Sequence, residues 1–491
     1  MRLLLQLLEQ LPLFVVVIDT IIRILALFIV PRNRRPSSGT AWLLFIFALP
    51  IPGALLFAVI GSRRLPAIRR ARHDFIHEKL QAAITDAAVA SFPLPPEPRS
   101  EGLENAVRIG RALGAFPMLG GNKASLHYDY KESIQQMADA IDLAQSHVNV
   151  EFYILVSDST TEPVFSALRR ATARGVKVRV LIDHVAAIMN PGMLRTRRQL
   201  HEIGAELYYM LPLRPWRLQY QRPDLRNHRK LLTVDGCIGF MGSQNLIDSS
   251  YNKLKNRWRG LHWKDLMVRV EGPTVLALDM MFLKDWYAES GELLDFATDE
   301  FPVVHQESRL ETQLLPSGPG YATENNLQVF VALLYTARRR ISITSPYFVP
   351  DGALMAAIKA ATARGVEVEL FVSEIGDQPV VYHAQRSYYE ELLEANVRIF
   401  MFRPPFILHA KHFTVDDDVA VIGSSNMDQR SFNLNFEISL VVHGADFVAD
   451  LDGVNDYYRE HSRELTLEEW NKRNIFAQLA DNVARLTSSL Q

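Results

Sequence analysis

Two long apolar runs occupy the first sixty residues of the chain. Leu11–Val30 is interrupted mainly by Asp19 and Arg23, which are spaced so that they can pair on one face of a helix. Ala41–Ile60 is interrupted by a Pro-Ile-Pro-Gly sequence that begins at Pro50. Each run has about the 20 residues that a helix needs to cross a hydrocarbon layer roughly 30 Å thick, and neither resembles a cleaved secretory signal. The pattern therefore predicts that residues 1–62 anchor the protein in a membrane through transmembrane helices.

Arginines flank both apolar runs and constrain how the runs cross a membrane. They precede, separate and follow the runs as Arg2, then Arg32, Arg34 and Arg35, then Arg63, Arg64, Arg69, Arg70 and Arg72. Two full spans place the middle group outside, against the tendency of basic residues to remain in the cytoplasm. A re-entrant hairpin at Pro50 keeps the middle and last groups on one side. We expect two spans, because membrane helices tolerate proline, with the hairpin as the alternative. Either arrangement leaves the rest of the chain in the cytoplasm.

Beyond residue 71 the chain has the pattern of a soluble protein, and part of that pattern occurs twice. The proline-rich stretch Phe92–Pro98 predicts a stiff linker. Ala171–Val176 recurs letter for letter as Ala361–Val366, each at the end of a predicted helix, with a glycine suited to the left-handed position there. We therefore divide the chain into membrane segments 1–62, a linker and lead-in 63–125, and two similar domains 126–300 and 301–491.

Matching strands and helices are predicted around both copies. Short apolar runs predict strands at His147–Leu155, Lys177–Asp183 and Ala205–Leu211, and again at Arg340–Tyr347, Glu367–Ser373 and Asn396–Phe402. Helices are expected between them, including Arg198–Gly204 and Tyr388–Ala395. Strands that alternate with helices indicate an α/β fold. We expect two tandem domains that pack about a pseudo-two-fold axis as a sandwich.

The same spaced set of polar residues follows each of these repeated segments. Written as H-x-K-x4-D-x6-G-S-x-N, it comprises His228, Lys230, Asp235, Gly242, Ser243 and Asn245 in the first copy, and His409, Lys411, Asp416, Gly423, Ser424 and Asn426 in the second. Two copies with identical spacing are hard to explain by chance. We interpret them as two halves of one composite active site.

Composition limits the classes of function. Lys and Arg number 53 and Asp and Glu 55, which lacks the basic excess typical of nucleic-acid binders. No nucleic-acid partner is therefore expected. The single cysteine, Cys237, excludes an internal disulfide framework, and its apolar neighbours predict a buried position.

The motif residues suit phosphoryl transfer through histidine. Alternate residues of a strand share a face, so each histidine and its lysine point the same way. Lysine ammonium groups and the hydroxyl and amide groups of Ser243, Asn245, Ser424 and Asn426 can surround a phosphate. One imidazole can attack phosphorus while the other protonates the leaving alcohol. No metal or other cofactor is required, and no cluster of ligands with metal-site spacing is evident.

Carboxylates near the motifs have two expected roles. Asp265 and Glu437 follow the two motifs and are candidates to orient the imidazoles. Asp235 and Asp416 are counted with the catalytic set, although their place at the end of a strand favours anchoring the turn. Tyr153 and Tyr347 occupy equivalent places in the two copies and are candidates to line the site, with core packing as the alternative.

The paired motifs resemble the HKD signatures of the phospholipase D superfamily, and the membrane-anchored layout is similar to that of the bacterial cardiolipin synthases. Further stretches carry the narrower resemblance: Glu151–Ile154, Ser317–Pro319, Ser345–Asp351, Arg386–Leu392, Asn426–Phe432 and Ala484–Leu486. The resemblance covers essentially the whole chain. Glu437 follows its motif at a shorter interval than Asp265, which leaves the orienting partner of each histidine open.

This resemblance implies a membrane enzyme that acts on lipid. It implies transfer of a phosphatidyl group between two phosphatidylglycerol molecules, through a phosphohistidine, to give cardiolipin and glycerol. Hydrolysis, or transfer to another alcohol, is the alternative. The symmetric motifs do not identify the nucleophile; the resemblance favours His228, with His409 as acid and base. The expected location is the bacterial inner (cytoplasmic) membrane, multi-pass, with the catalytic domain facing the cytoplasm.

Overall fold

A computed structural model describes residues 2–32, 36–61, 65–66, 68–76, 99–214, 221–294, 308–322 and 324–488. The predicted linker 92–98 lies outside these residues, as do Arg34, Arg35, Arg63 and Arg64 of the arginine groups. The chain divides into two compact units: Met1–Arg64 with Arg222–Asp224, and Leu65–Gln221 with Leu225–Gln491. We describe each unit by itself.

The smaller unit contains three helices formed by the apolar runs: α1 (Arg2–Ile29), α2 (Pro36–Ala48) and α3 (Pro50–Ile60). In α1 the predicted pair forms, with 3.9 Å between Arg23 and Asp19. Among the residues that the structure describes, no helix is both long and apolar enough to cross a membrane.

The second apolar run folds back on itself at Leu49. The rings of Trp42 and Phe57 lie 5.2 Å apart, whereas one continuous helix rising about 1.5 Å per residue would separate them by about 22 Å. A Cβ atom on Gly53 would lie 2.8 Å from the Cα of Ile46, so only glycine allows the two helices this close an approach. In the structure this segment therefore forms two helices that pack together rather than one continuous helix, which is the chain path of the hairpin alternative.

The larger unit is built from strands that repeat in the same order. The strands are β1 (Met118–His127), β2 (His147–Phe152), β3 (Lys177–Asp183), β4 (Glu206–Met210), β5 (Lys230–Val234), β6 (Ile238–Gly242), β7 (His262–Lys264), β8 (Met267–Glu271), β9 (Leu310–Ser317), β10 (Arg340–Thr344), β11 (Glu367–Ser373), β12 (Arg398–Phe402), β13 (Phe406–Leu408), β14 (His412–Val415), β15 (Val419–Gly423), β16 (Glu437–His443) and β17 (Ser462–Leu465). The predicted strands are confirmed, most within two residues of their bounds.

The strand order shows the duplication directly. The first half runs β1-β8-β6-β5-β2-β3-β4 and the second β9-β16-β15-β14-β10-β11-β12-β17. In each half three parallel strands adjoin an antiparallel group. Strand β1 pairs with both β8 and β9, so the two halves are also joined edge to edge in one 15-stranded order.

Helices cover both halves and contribute to a core that the halves share. They are α4 (Glu101–Ala112), α5 (Tyr130–Asp142), α6 (Glu162–Ala173), α7 (His184–Met189), α8 (Met193–Ile203), α9 (Leu254–Trp258), α10 (Thr274–Ser290), α11 (Asn325–Thr336), α12 (Gly352–Ala363), α13 (Pro379–Arg386), α14 (Tyr389–Glu394), α15 (Gln429–Asn433), α16 (Ala445–Glu460), α17 (Leu467–Asn471) and α18 (Ile475–Arg485). One buried cluster joins residues of both sheets with α10 and α16, for example Leu231, Leu440 and Phe282. The two sheets therefore pack on a common apolar layer, as a sandwich requires.

Two local predictions have opposite outcomes. Gly175 and Gly365 follow helices with φ of +91° and +83°, in the left-handed conformation expected of them. Cys237, expected to be buried, is exposed instead, because it lies in the tight turn between β5 and β6 rather than within a strand.

Candidate active site

Backbone pairing between the halves brings the two motif histidines to one place. The backbone N–H of His228 donates to the carbonyl of Phe436 at 2.8 Å, and that of His409 donates to the carbonyl of Lys264 at 2.7 Å. Strand β13, which ends directly before His409, also pairs in parallel with β7, which ends at Lys264. Each histidine is thus fixed by backbone from the opposite half of the molecule.

The orienting carboxylates are exchanged between the halves. Nδ1 of His228 lies 3.0 Å from both carboxylate oxygens of Glu437, and Nδ1 of His409 lies 2.7 Å from Oδ1 of Asp265. Each histidine therefore uses the carboxylate that follows the other motif. A carboxylate at Nδ1 accepts a hydrogen bond from a protonated Nδ1, which leaves Nε2 as the unprotonated nitrogen of a neutral imidazole.

Burial sets the charge of this cluster. It lowers the pKa of His228 and of His409 to about 4, so both imidazoles are neutral at pH 7 in the free protein. Burial alone would raise the pKa of the Asp265 and Glu437 carboxyls, but the facing imidazoles and lysines outweigh it and lower both. The carboxylates are therefore charged and can hold the tautomer of each ring.

The two motif lysines lie beside the histidines and are buried. Each ammonium donates a hydrogen bond to the backbone carbonyl of its own motif histidine. Burial lowers the pKa of Lys230 well below its ordinary value and that of Lys411 to about 8. Each ammonium keeps two further N–H groups, which are donors of the kind that binds phosphate oxygens.

The pKa of Lys411 predicts how activity depends on pH. Its pKa is depressed to about 8, so the ammonium is charged below that pH and loses its proton above it. We expect kcat/KM for the reaction catalysed at this site to fall as pH rises through about 8. In a Lys411→Arg variant the guanidinium stays charged, so this alkaline fall should disappear even though the absolute rate is lower. Measuring kcat/KM from neutral to strongly alkaline pH tests this, and an unchanged alkaline fall in the variant excludes Lys411 as its source.

The motif serines do not occupy the predicted phosphate-binding role. The hydroxyl of Ser243 donates to Asp265 at 2.7 Å and accepts from the backbone N–H of Leu266 at 2.9 Å. Ser424 makes the corresponding bonds to Glu437 at 2.6 Å and from Ile438 at 3.0 Å. A hydroxyl has only one hydrogen, and each serine donates that hydrogen to a carboxylate. The serines therefore position the carboxylates that orient the histidines.

The motif asparagines are also engaged within the protein. Asn245 accepts from the backbone N–H of Ile154 at 3.2 Å and donates to the hydroxyl of Tyr251 at 2.9 Å. Asn426 donates to Asp428 at 3.2 Å. The structure thus buries both asparagines, and one of the two side-chain N–H groups of each is bonded within the protein.

Asp235 and Asp416 lie away from the histidines, which corrects their inclusion in the catalytic set. Strand β5 separates Asp235 from Lys230, about 17 Å at 3.3 Å per residue. Asp235 accepts from the backbone N–H groups of Gln145, Ser146 and His147 at 2.7, 2.9 and 2.7 Å. Asp416 accepts in the same way from residues 338–340. Both carboxylates anchor turns at the opposite ends of the strands, the role favoured by their position in the sequence.

Asp235 should therefore matter for stability rather than for chemistry. An Asp235→Ala variant leaves three backbone N–H groups without their acceptor, and we expect the free energy of unfolding to fall by about 3 kcal/mol. The rate per folded molecule should stay within about twofold of wild type, since Asp235 touches no reacting group. Denaturant titration and active-site titration measure the two quantities. Asp139→Ala, at an exposed position of α5, is the matched control and should change neither.

A buried charged cluster distinguishes the two halves and was missed in the sequence. Arg229, between the motif histidine and lysine, forms an ion pair with Asp285 and donates from Nε to the backbone carbonyl of Glu437 at 3.1 Å. Burial and the neighbouring Asp285 raise the pKa of Glu151 well above its ordinary value. The sequence carried a signal for this cluster, because the position between the histidine and the lysine is Arg229 in the first motif and Ala410 in the second.

Tyr153 and Tyr347 line the site as expected. The ring of Tyr153 lies 5.3 Å from that of His228, and the ring of Tyr347 lies 6.4 Å from that of His409. Both rings meet the imidazoles edge to face, so they restrict the directions in which the imidazoles can turn. Among the residues that the structure describes, no group of three or more His, Cys, Asp or Glu is arranged to hold a metal ion.

Comparison with known proteins gives one consistent result. The family model described as "Cardiolipin synthase, PLD-like domain" matches residues 137–286 and 330–456. The chain is 31% identical over 490 residues to a cardiolipin synthase of Geobacillus kaustophilus (strain HTA426), covering 98% of this chain and 94% of that protein. It is 32% identical over 468 residues to cardiolipin synthase A of Proteus mirabilis (strain HI4320), covering 94% and 95%.

A solved structure shares the fold. The crystal structure of phosphatidylserine synthase from Haemophilus influenzae Rd KW20 superposes with a TM-score of 0.60 at 16% identity, covering 78% of this chain and 99% of that one. The fold, the paired motifs and the family model define a phosphatidyltransferase of the phospholipase D superfamily. Within that superfamily, the chain belongs to the cardiolipin synthase family.

Proposed function

We propose that the enzyme transfers a phosphatidyl group from one phosphatidylglycerol to a hydroxyl of a second, giving cardiolipin and glycerol, through a phosphohistidine. The observation that carries the proposal is the exchanged pair of dyads, His228 with Glu437 and His409 with Asp265, each with Nδ1 bonded to a carboxylate. Such a pair supplies one nucleophile and one acid–base group for the two steps of a double displacement.

In the first step Nε2 of His228 attacks phosphorus. The anionic phosphate raises the pKa of His409 as it enters, and Nε2 takes up a proton from solvent. The bond from phosphorus to the glycerol oxygen then breaks, and His409 gives that proton to the leaving oxygen. In the second step the hydroxyl of another phosphatidylglycerol attacks phosphorus and its proton passes to His409. The nitrogen–phosphorus bond then breaks and restores His228. The Arg229–Asp285 pair supports His228 as the nucleophile. Arg229 donates to the backbone carbonyl of Glu437, the residue that orients His228, and the equivalent position of the second motif is Ala410.

Lys230 and Lys411 are proposed to hold the phosphate oxygens through both steps. Their charge stabilises the extra negative charge that develops on a five-coordinate phosphorus. The serine, asparagine and aspartate residues of the motifs are proposed to shape this site rather than to contact phosphate. We propose the two halves, residues 126–300 and 301–491, as two domains that each contribute one component to each of the two dyads.

The acceptor is tested by analysing products. The purified full-length enzyme is incubated with phosphatidylglycerol in vesicles, and the lipids are identified by mass. We expect cardiolipin and one equivalent of glycerol. Phosphatidic acid as the only product contradicts transfer and indicates that water is the acceptor. Adding another alcohol, such as ethanolamine or serine, and finding its phosphatidyl ester in place of cardiolipin indicates a different transferase.

We propose that the N-terminal helices attach the enzyme to the bacterial inner (cytoplasmic) membrane as a multi-pass anchor, with the catalytic unit in the cytoplasm. The apolar sequence of α1 and the compact α2–α3 hairpin support attachment. Cysteines placed at Ser37 and Arg64, in a chain whose Cys237 is replaced by serine, test sidedness with an impermeant label. Labelling from the same side supports the hairpin, and labelling from opposite sides supports two spans.

A further inference from the structure

Exposed apolar side chains lie on two segments that adjoin the active site. We call them together the apolar rim: Ile188, Met189 and Leu194 on the first segment, and Leu254 and Trp258 on the second. Leu254 is 75% exposed and Trp258 is 93% exposed. A side chain of this size is seldom exposed to solvent unless it contacts a partner, because its transfer out of water is favourable by about 2 kcal/mol.

Both segments of the rim are attached to the residues around His228. Helix α9, which carries Leu254 and Trp258, follows Tyr251, whose hydroxyl accepts from Asn245 at 2.9 Å. Helix α7 follows Asp183, whose carboxylate accepts from the backbone N–H of Asn227 at 3.0 Å. The rim therefore lies at the edge of the sheet where β2 and β3 end and where the site is built.

The charge of the rim indicates what covers it. Helix α9 and its flanks contain four basic residues and no acidic one between Asn252 and His262: Lys253, Lys255, Arg257 and Arg259. Within the described part of the chain, none of these four forms an ion pair with a carboxylate. Helix α8 adds three more arginines, at positions 195, 197 and 198, and one carboxylate, Glu202. Exposed tryptophan and leucine in a segment with an excess of basic groups are the combination that enters the interface of an anionic bilayer.

We propose that the apolar rim is a docking surface for an anionic phospholipid bilayer, separate from the N-terminal anchor. Trp258 and Leu254 enter the headgroup region, and the basic residues around them contact lipid phosphates. Docking seats the active site on the membrane, so that an anionic phospholipid moves between bilayer and site without crossing water. The role of this surface in catalysis rests on the proposed function; its contact with the bilayer does not.

The contact is tested with a polarity-sensitive dye on single cysteines in the full-length enzyme, with Cys237 replaced by serine. One probe is Trp258→Cys. The matched control is Leu143→Cys, which is 64% exposed and lies at the opposite ends of the strands, next to the turn held by Asp235. In phosphatidylglycerol vesicles we expect the dye at 258 to shift to shorter wavelength and to lose several-fold in iodide quenching. The dye at 143 should not change. Equal quenching at both positions overturns the proposal, as does shielding at 258 that is already complete in detergent.

Activity gives the second measurement. Leu254→Ser and Trp258→Ser should each lower cardiolipin formation in vesicles by about thirtyfold, the effect of losing the transfer of one large apolar side chain. The same variants should match wild type on short-chain phosphatidylglycerol dispersed as monomers, and Leu143→Ser should match it on both. An equal loss on monomers and vesicles contradicts docking and indicates damage to the site. If wild type makes no cardiolipin from either substrate, the proposed function fails while the dye result still decides the contact.

Discussion

A His228→Ala variant is expected to form no phosphoenzyme and to make cardiolipin at least about 10⁴-fold more slowly than wild type. The imidazole is buried, held by Glu437 and neutral, so no neighbouring side chain can replace its Nε2 as nucleophile. A His409→Ala variant should be inactive by a similar factor for a different reason, since it lacks the acid for the leaving alcohol.

A phosphatidyl ester of nitrophenol separates the two roles, because nitrophenol leaves without protonation. With this substrate His409→Ala should release one equivalent of nitrophenol per site in a burst and retain the phosphatidyl group on His228. His228→Ala should give no burst. The reverse pattern assigns the nucleophile to His409. His147→Ala is the matched control, since His147 also bonds a carboxylate, Asp279 at 3.0 Å, but lies at the far end of β2; it should change neither phase.

Glu437→Gln and Asp265→Asn are expected to lower turnover by roughly 10²- to 10⁴-fold, the range found when a carboxylate that orients a histidine loses its charge. An amide can donate to Nδ1 as readily as it accepts, which allows the imidazole to present a protonated Nε2. The two variants should nevertheless fail at different steps, because their partners are exchanged between the halves.

The burst with the nitrophenyl ester distinguishes these steps. Glu437→Gln should slow the burst itself, because Glu437 orients the nucleophile. Asp265→Asn should leave the burst near normal and slow the turnover that follows, because His409 is then a poor base. Opposite assignments would mean that each histidine uses the carboxylate of its own half, or that the nucleophile is His409. Glu311→Gln is the control: this buried carboxylate bonds His443 at 2.8 Å, outside the site, and should leave both phases unchanged.

Several tertiary features could not be read from local pattern. The pairing of His228 with Glu437 depends on how two halves approach, and identical motifs carry no information about that approach. Ser243 was expected to bind phosphate because a hydroxyl is a general donor, but packing placed it against Asp265. The fold-back at Leu49 arises because Gly53 allows Ile46 to approach, a contact between residues on two different helices.

The sequence by itself determined the α/β repeat, the strand bounds, the paired histidines and lysines and the resemblance to the family. These depend on hydrophobic period, turn chemistry and fixed spacing, which act over a few neighbouring residues. Only the tertiary structure decided that Glu437 bonds His228, that Asp265 bonds His409 and that the motif serines bond these carboxylates. The reason is physical: a buried polar group is satisfied by whichever partner packing brings within about 3 Å, and that partner is often distant in sequence.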